Sequence, residues 1–327
     1  MSAAAMRMRA VSGSPYFTSM VTVVLLLAML GLGGAAYPGF LSEQVVFNLL
    51  IDNAFLLVIA IGMSFVILSG GIDLSVGSVL ALSTMIAAWL LQVAHWPPLL
   101  VIAAVLVLGA LFGAGMGALI HYFKLQAFIV TLAGMFLARG LCYLISIESI
   151  AIEDPLFVAM SRTQLALPGG FVSPSALIAL GMLLLSIWLA QYTTFGRAVY
   201  AVGGDEHSAQ MMGLPVGRTR VLVYAFSGFC AALGGVMFSF YMLSGYGLHA
   251  QGVELDAIAA VVIGGTLLAG GYGYVAGALS GVLVLGAIQT LIAFDGTLSS
   301  WWTKIVIGAL LFVFCVVQRV LAPRETK

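Results

Sequence analysis

The side chains able to do chemistry are few, and three of them sit where a charge is costly. Asp52, Asp73 and Arg139 lie within or between long apolar runs, and an ionisable group in hydrocarbon must pair or face a polar path. Asn48, Asp52 and Asn53 have i, i+4, i+5 spacing, which puts them on one helix face, turned to a polar path or to another helix. Asp73 and Ser75 lie in Ser69-Gly-Gly-Ile-Asp-Leu-Ser-Val-Gly-Ser78. Glycine pairs followed at once by an apolar run are the mark of broken helices, the geometry transporters use near a substrate path. These five residues, Asn48, Asp52, Asn53, Asp73 and Ser75, are the candidate solute contacts. Arg139 reads as an ion-pair partner of Asp52 or Asp73, the commonest fate of such a residue.

Enzymatic apparatus is missing. A phosphate-binding loop needs a lysine directly after a glycine, but Lys124, Lys304 and Lys327 follow Phe123, Thr303 and Thr326. His95, His121, His207 and His249 are scattered without ligand spacing, so no metal site is expected. Cys142, Cys230 and Cys315 sit in apolar stretches and read as small buried side chains. No catalytic residue is expected. If the chain moves a solute uphill, the energy comes from another chain or from an ion gradient.

The framework that positions these residues is a membrane one. Of 327 residues, 62% are hydrophobic and 7% charged, against about a quarter charged in soluble domains. The 12 basic and 12 acidic residues cancel, so no net field points to nucleic acid. Ten continuously apolar segments predict an all-α polytopic membrane protein, one membrane domain over 1–327: 17–36, 45–68, 73–92, 98–120, 126–147, 174–192, 221–244, 254–270, 273–294 and 300–321. The first is too long an apolar run for a signal segment and reads as a retained helix. With the N-terminus inside, Arg7, Arg9, Lys124, Arg197, Arg218, Arg220, Arg319, Arg324 and Lys327 fall in cytoplasmic segments, and the excess of basic residues fixes both termini inside. An outer loop then runs from Glu148 to Ser173 and an inner one from Thr193 to Arg220.

The inner loop carries a helix signature. Asp205 is an N-cap after Gly203-Gly204, Glu206 lies in the first turn, Gly213 is a C′ residue and Pro215 prevents continuation. Ala209, Met211 and Met212 give this helix an apolar side. It is either a connector resting on the membrane surface or a knob for a groove on a cytoplasmic partner. A second glycine break is Gly264-Gly-Thr-Leu-Leu-Ala-Gly-Gly-Tyr-Gly273, whereas the glycines of 109–118 and 277–286 read as helix packing. Glu254 and Asp256 read as a solvated helix end, and Trp301, Trp302 and Lys304 as an interfacial anchor.

Ile67-Leu-Ser-Gly-Gly-Ile-Asp-Leu-Ser-Val-Gly-Ser-Val79 resembles the signature of the ribose/galactose/xylose branch of ABC sugar permeases. Gly196-Arg197, Asp205, Glu206, Ala209, Met212 and Gly213 fall in the stretch that is similar to that family's coupling-helix loop, and Val262–Gly273 matches a third family stretch. Val253-Glu-Leu-Asp-Ala-Ile-Ala and Phe294–Ile305 resemble, more narrowly, one of the two permeases of galactofuranose importers. The resemblance implies a permease in the bacterial inner membrane, paired with a second and distinct permease. It also implies ATPase subunits that bind ATP and magnesium inside, and a periplasmic sugar-binding protein outside. On it, the 205–213 helix becomes the coupling element and a monosaccharide the cargo. The residues alone leave open an ion-coupled sugar carrier with Asp52 or Asp73 as its coupling carboxylate.

Overall fold

The computed structural model describes residues 17–299 and 301–321. Arg7, Arg9, Arg324 and Lys327, four of the residues behind the orientation expectation, lie outside the described residues. The continuous apolar runs form helices, in the order α1 Phe17–Ala36, α2 Glu43–Asp52, α3 Ala54–Leu68, α4 Val76–Gln92, α5 Pro98–Tyr122 and α6 Ala127–Ile145. Then come β1 Ile150–Ala151, α7 Pro155–Arg162, β2 Leu165–Leu167, β3 Gly170–Val172, α8 Pro174–Tyr192, α9 Thr194–Gly204 and α10 Glu206–Met211. The chain ends with α11 Val216–Met242, β4 Ser244–Gly245, α12 Val253–Ile263, α13 Gly277–Asp295 and α14 Trp301–Leu321.

Each of the ten apolar segments holds a helix, but not each helix is a full crossing. Among the described residues α1, α5, α6, α8, α11 and α13 are long and apolar enough to cross a membrane alone. The pair α2 and α3 makes a seventh span if its 53° bend is counted within one crossing. The clearest departure from expectation is at 254–270. There α12 has 11 residues, about 16 Å of helix against about 30 Å of hydrocarbon. It stops because Gly265 takes φ +103, a backbone state that side-chain-bearing residues rarely adopt.

α3 is the axis of the bundle. Every residue from Leu56 to Leu68 is buried, and α8, α11, α12 and α13 pack around it. The longest helix contact is α11 along α5. A side chain at Gly109 would come within 2.6 Å of the Gly228 carbonyl oxygen, so glycine is what lets these two backbones approach, as small-residue packing in membranes requires. Gly277 meets the carbonyl of Gly264 and Gly281 that of Ala260 in the same way. The 148–173 loop is ordered by a cap and two short pairings. Asp154 accepts from the N–H groups of Leu156 (2.9 Å) and Phe157 (3.3 Å) at the start of α7. β2 and β3 form a hairpin, and β1 pairs antiparallel with β4 through Ile150 and Gly245.

Candidate functional site

The 193–220 loop forms the helix its caps predict. The Asp205 side chain accepts from the Ser208 N–H, Gly213 ends the turn at φ +77, and α10 covers six residues between them. Hydrogen bonding by Ser208, its side chain first and its N–H second, holds the Asp205 carboxyl below the usual carboxylate range. Glu206 takes a two-pronged hydrogen bond from Arg220 at 2.7 and 3.2 Å, tying α10 to the start of α11. One expectation changes. Ala209 is fully buried, clustered with Val202 and Val216, so it packs α10 onto its own chain and is not offered to a partner. Met211 and Met212, 77% and 70% exposed, are the free apolar surface. Arg197 is exposed one turn into α9, and Gly196 lies where a side chain would strike the carbonyl of Ala190.

Just before α10 the loop touches both membrane breaks through backbone alone. A side chain at Gly203 would collide with the carbonyl oxygen of Leu68, the last residue of α3, and lie 2.7 Å from the N of Gly271. The Gly271 N–H donates to that same Leu68 oxygen at 2.9 Å. Gly270, at φ +88, would place a side chain 2.7 Å from the Cα of Gly70 and 3.0 Å from the Gly203 oxygen. Three strands of backbone thus meet where each needs a glycine. α9 adds two side-chain ties: the Tyr200 hydroxyl donates to the Gly273 oxygen at 2.8 Å, and Phe195 stacks on Phe65 of α3 with centroids 5.8 Å apart. Sequence reading took Gly203-Gly204 for a turn before a cap and gave Tyr200 no role, because its partners lie more than 70 residues away.

The charges inside the bundle are partnered differently from expectation. Asp73 is completely buried and accepts from the Ser75 N–H (3.0 Å), the Ser75 hydroxyl (2.6 Å) and the Ser227 hydroxyl of α11 (2.7 Å). Asp73 and Ser75 therefore close the first break against α11, with no open path beside them. Asn48, Asp52 and Asn53 do not share one face, because the helix breaks at Asn53 and the chain turns there. Asn53 is buried and donates to the Leu49 oxygen, Asn48 accepts from Gln44, and Asp52 is exposed at the bend. Arg139 pairs with neither aspartate. Its Nη1 donates to the carbonyl oxygens of Gly247 (2.6 Å) and His249 (2.8 Å), because the non-helical stretch after β4 has carbonyls that no helix turn satisfies. Asp256 is not a solvated end either: it is buried and holds Lys304 at 2.6 Å. Trp301 is 76% exposed beside that pair, as an interfacial anchor is.

The sequence that builds these glycine breaks and the capped helix has known relatives. Residues 45–315 match the family model described as a branched-chain amino acid transport system permease component. The chain belongs to this permease family. It is 53% identical over 284 residues to the inner membrane ABC transporter permease protein YjfF of Escherichia coli K12, with 86% of each chain covered. It is 37% identical over 309 residues to the fructose import permease protein FruG of Bifidobacterium longum, covering 92% of this chain and 90% of the relative. The ribose import permease protein RbsC of E. coli K12 is 33% identical over 326 residues, covering 96% and 99%. No solved structure gives a significant match. The chain is therefore a multi-pass membrane protein of the sugar ABC permease family.

Proposed function

We propose that this chain is one of two permease subunits of a binding-protein-dependent ABC importer that moves a monosaccharide across the bacterial inner membrane. In this reading the ten helical segments are the ten crossings, both termini are cytoplasmic, and α10 faces the cytoplasm. The observation that carries it is the exposed Met211–Met212 pair on a capped helix, joined through Gly203 to both membrane breaks. An apolar knob on a short rigid helix suits a groove on a partner, and the ATPase subunits, which hold ATP and magnesium, would supply that groove. Closure of the ATPase pair moves α10, and α9 carries the movement to the ends of α3 and α12. A second, distinct permease completes the path, a periplasmic binding protein delivers the sugar, and galactofuranose is the cargo favoured by the narrower resemblance. Asp52, exposed at the α2–α3 bend, faces water or the second permease, because hydrocarbon does not accept an unpaired carboxylate.

The test is purification of the tagged chain from its native membrane in mild detergent. An ATPase subunit is expected with the wild type and not with Met211→Asp/Met212→Asp, while a second permease is retained in both. An ATPase subunit held equally by the double variant overturns the docking assignment. Counterflow of labelled galactofuranose against a panel of pyranoses then decides the cargo.

A further inference from the structure

The segment between β4 and α12 is not a surface loop. A side chain on Gly245 would sit 2.5 Å from the Thr84 oxygen and 2.7 Å from the Ala88 Cβ of α4. A side chain on Gly77, in the first turn of the same helix, would sit 2.9 Å from the Ala250 oxygen and against Oε2 of Glu254. Between those contacts α4 rises about 10–16 Å, and the chain covers it through a turn in which the His249 N–H donates to the Tyr246 oxygen at 3.0 Å. The chain therefore passes along α4 as irregular, turned backbone, from the β1–β4 pair to a point about 22 Å from the end of α4 at Gln92. There Ala250 turns at φ +56 and Gly252 at φ +82, and α12 begins. The region is thus a run of turns over residues 247–252 followed by the helix from Val253.

Non-helical backbone within a membrane bundle is tolerated only when it is enclosed by protein or lines water. Arg139 answers two of its carbonyls, yet the segment is not enclosed: Leu248 is 40% exposed, Leu255 61%, and Gln251 is exposed between them. Three buried side-chain polar atoms among the described residues lack a hydrogen-bond partner, and two of them, His249 Nδ1 and Glu254 Oε2, belong to this stretch. Buried polar atoms are normally bonded, so each needs a reason. The His249 ring is flanked by Phe238 at 5.1 Å and Tyr246 at 5.7 Å between centroids.

We infer that residues 245–252 and the first turn of α12 line the solute path, and that His249 Nδ1 and Glu254 Oε2 accept hydrogen bonds from hydroxyls of the passing sugar. This rests on the importer reading and gives it a contact surface. Both atoms are acceptors, His249 in the tautomer protonated on Nε2, which suits a neutral polyol. A sugar phosphate is excluded, since the nearby cations are committed: Arg139 to carbonyls and Lys304 to Asp256.

Two measurements on the complex purified from native membrane and reconstituted in liposomes test it. In a Cys315→Ser background, Gln251→Cys is labelled with a permanently cationic, water-soluble methanethiosulfonate reagent and compared with Leu111→Cys on the exposed side of α5. The expected rate is at least tenfold faster at Gln251→Cys; equal rates overturn the inference. Uptake of whichever of labelled D-galactofuranose, D-ribose, D-xylose, D-fructose or D-galactose the wild type accumulates is then compared in Glu254→Leu, Glu254→Gln and His249→Phe. The maximal rate should fall at least fivefold in Glu254→Leu and His249→Phe and recover in Glu254→Gln, with melting temperatures held, because removing an unbonded buried acceptor leaves no donor orphaned. Leucine and phenylalanine variants that transport within twofold of wild type overturn the contact. Fast labelling of Gln251→Cys with no accumulation of any sugar counts against the importer reading and leaves the path assignment standing.

Discussion

The junction at Gly203 and the descending segment 245–252 both bring non-helical backbone into a helical bundle, and they satisfy it by opposite means. At Gly203 three backbones touch directly, with no side chain between them and one interstrand hydrogen bond from Gly271 to Leu68. In the descending segment a long side chain, Arg139, reaches across to two carbonyls, and other polar atoms are left unbonded. Direct backbone contact has no slack, so movement of one strand displaces the others, because packed interiors shift between discrete arrangements and do not deform continuously. A side-chain clasp can release and re-form as a solute passes. The first is built for transmission and the second for contact.

The sharpest way to break the comparison is to add one methyl to the transmitting side. Gly203→Ala forces backbone apart at two partners, and overpacking costs about 1–3 kcal/mol before any effect on coupling. Uptake in liposomes should fall at least roughly tenfold while ATPase subunits still copurify. On the contact side, Arg139→Met strands two carbonyls, each worth about 1–3 kcal/mol. The expected result is a lower unfolding temperature in detergent, partly recovered by Arg139→Lys, whose ammonium still donates. Asp73→Asn separates structural from ion-coupling roles. An amide cannot accept from Ser75 and Ser227 as a carboxylate does, so stability should drop by about 1–3 kcal/mol. The pH dependence of uptake should be unchanged, whereas a coupling carboxylate would lose its pH dependence with the charge. Lys304→Met leaves the buried Asp256 carboxylate without its ion-pair partner and should cost about 1–3 kcal/mol, read by the same unfolding assay.

The smallest effect concerns Asp205. Its carboxyl is held below the usual range by Ser208, so its folded-state value is depressed. The stabilisation is complete above the unfolded carboxylate value and is lost as pH falls through the folded one. Acidification into that window should raise proteolytic cutting between α9 and α11. Asp205→Asn, which keeps a capping oxygen, should remove the pH response.

Helices and caps were legible in the sequence because their causes are local. Continuous apolar runs made the ten helical segments, and Asp205, Gly213 and Pro215 bounded α10 within the residues they touch. The glycines at 109–118 were readable as packing for the same reason. Partner identity was not legible, because it is set across long separations. Asp73 is neutralised by donors that include Ser227, 154 residues on. Arg139 bonds backbone carbonyls more than 100 residues away, and backbone carbonyls carry no sequence signature. The Asn48/Asp52/Asn53 spacing failed because helical periodicity stops at the bend it was meant to cross. The 254–270 segment read as one helix because it is apolar throughout, but the helix ends at Ile263, ahead of Gly265 at φ +103.

Coupling through Gly203 requires α9 and the two breaks to move as one body. Hydrogen exchange of the reconstituted complex in nanodiscs, with and without a non-hydrolysable ATP analogue, measures this directly. Peptides covering 66–73, 199–205 and 266–274 should change protection together on nucleotide binding, and Gly203→Ala should abolish the response in the first and third. A nucleotide response at 199–205 with no change at 66–73 and 266–274 in the wild type would contradict it.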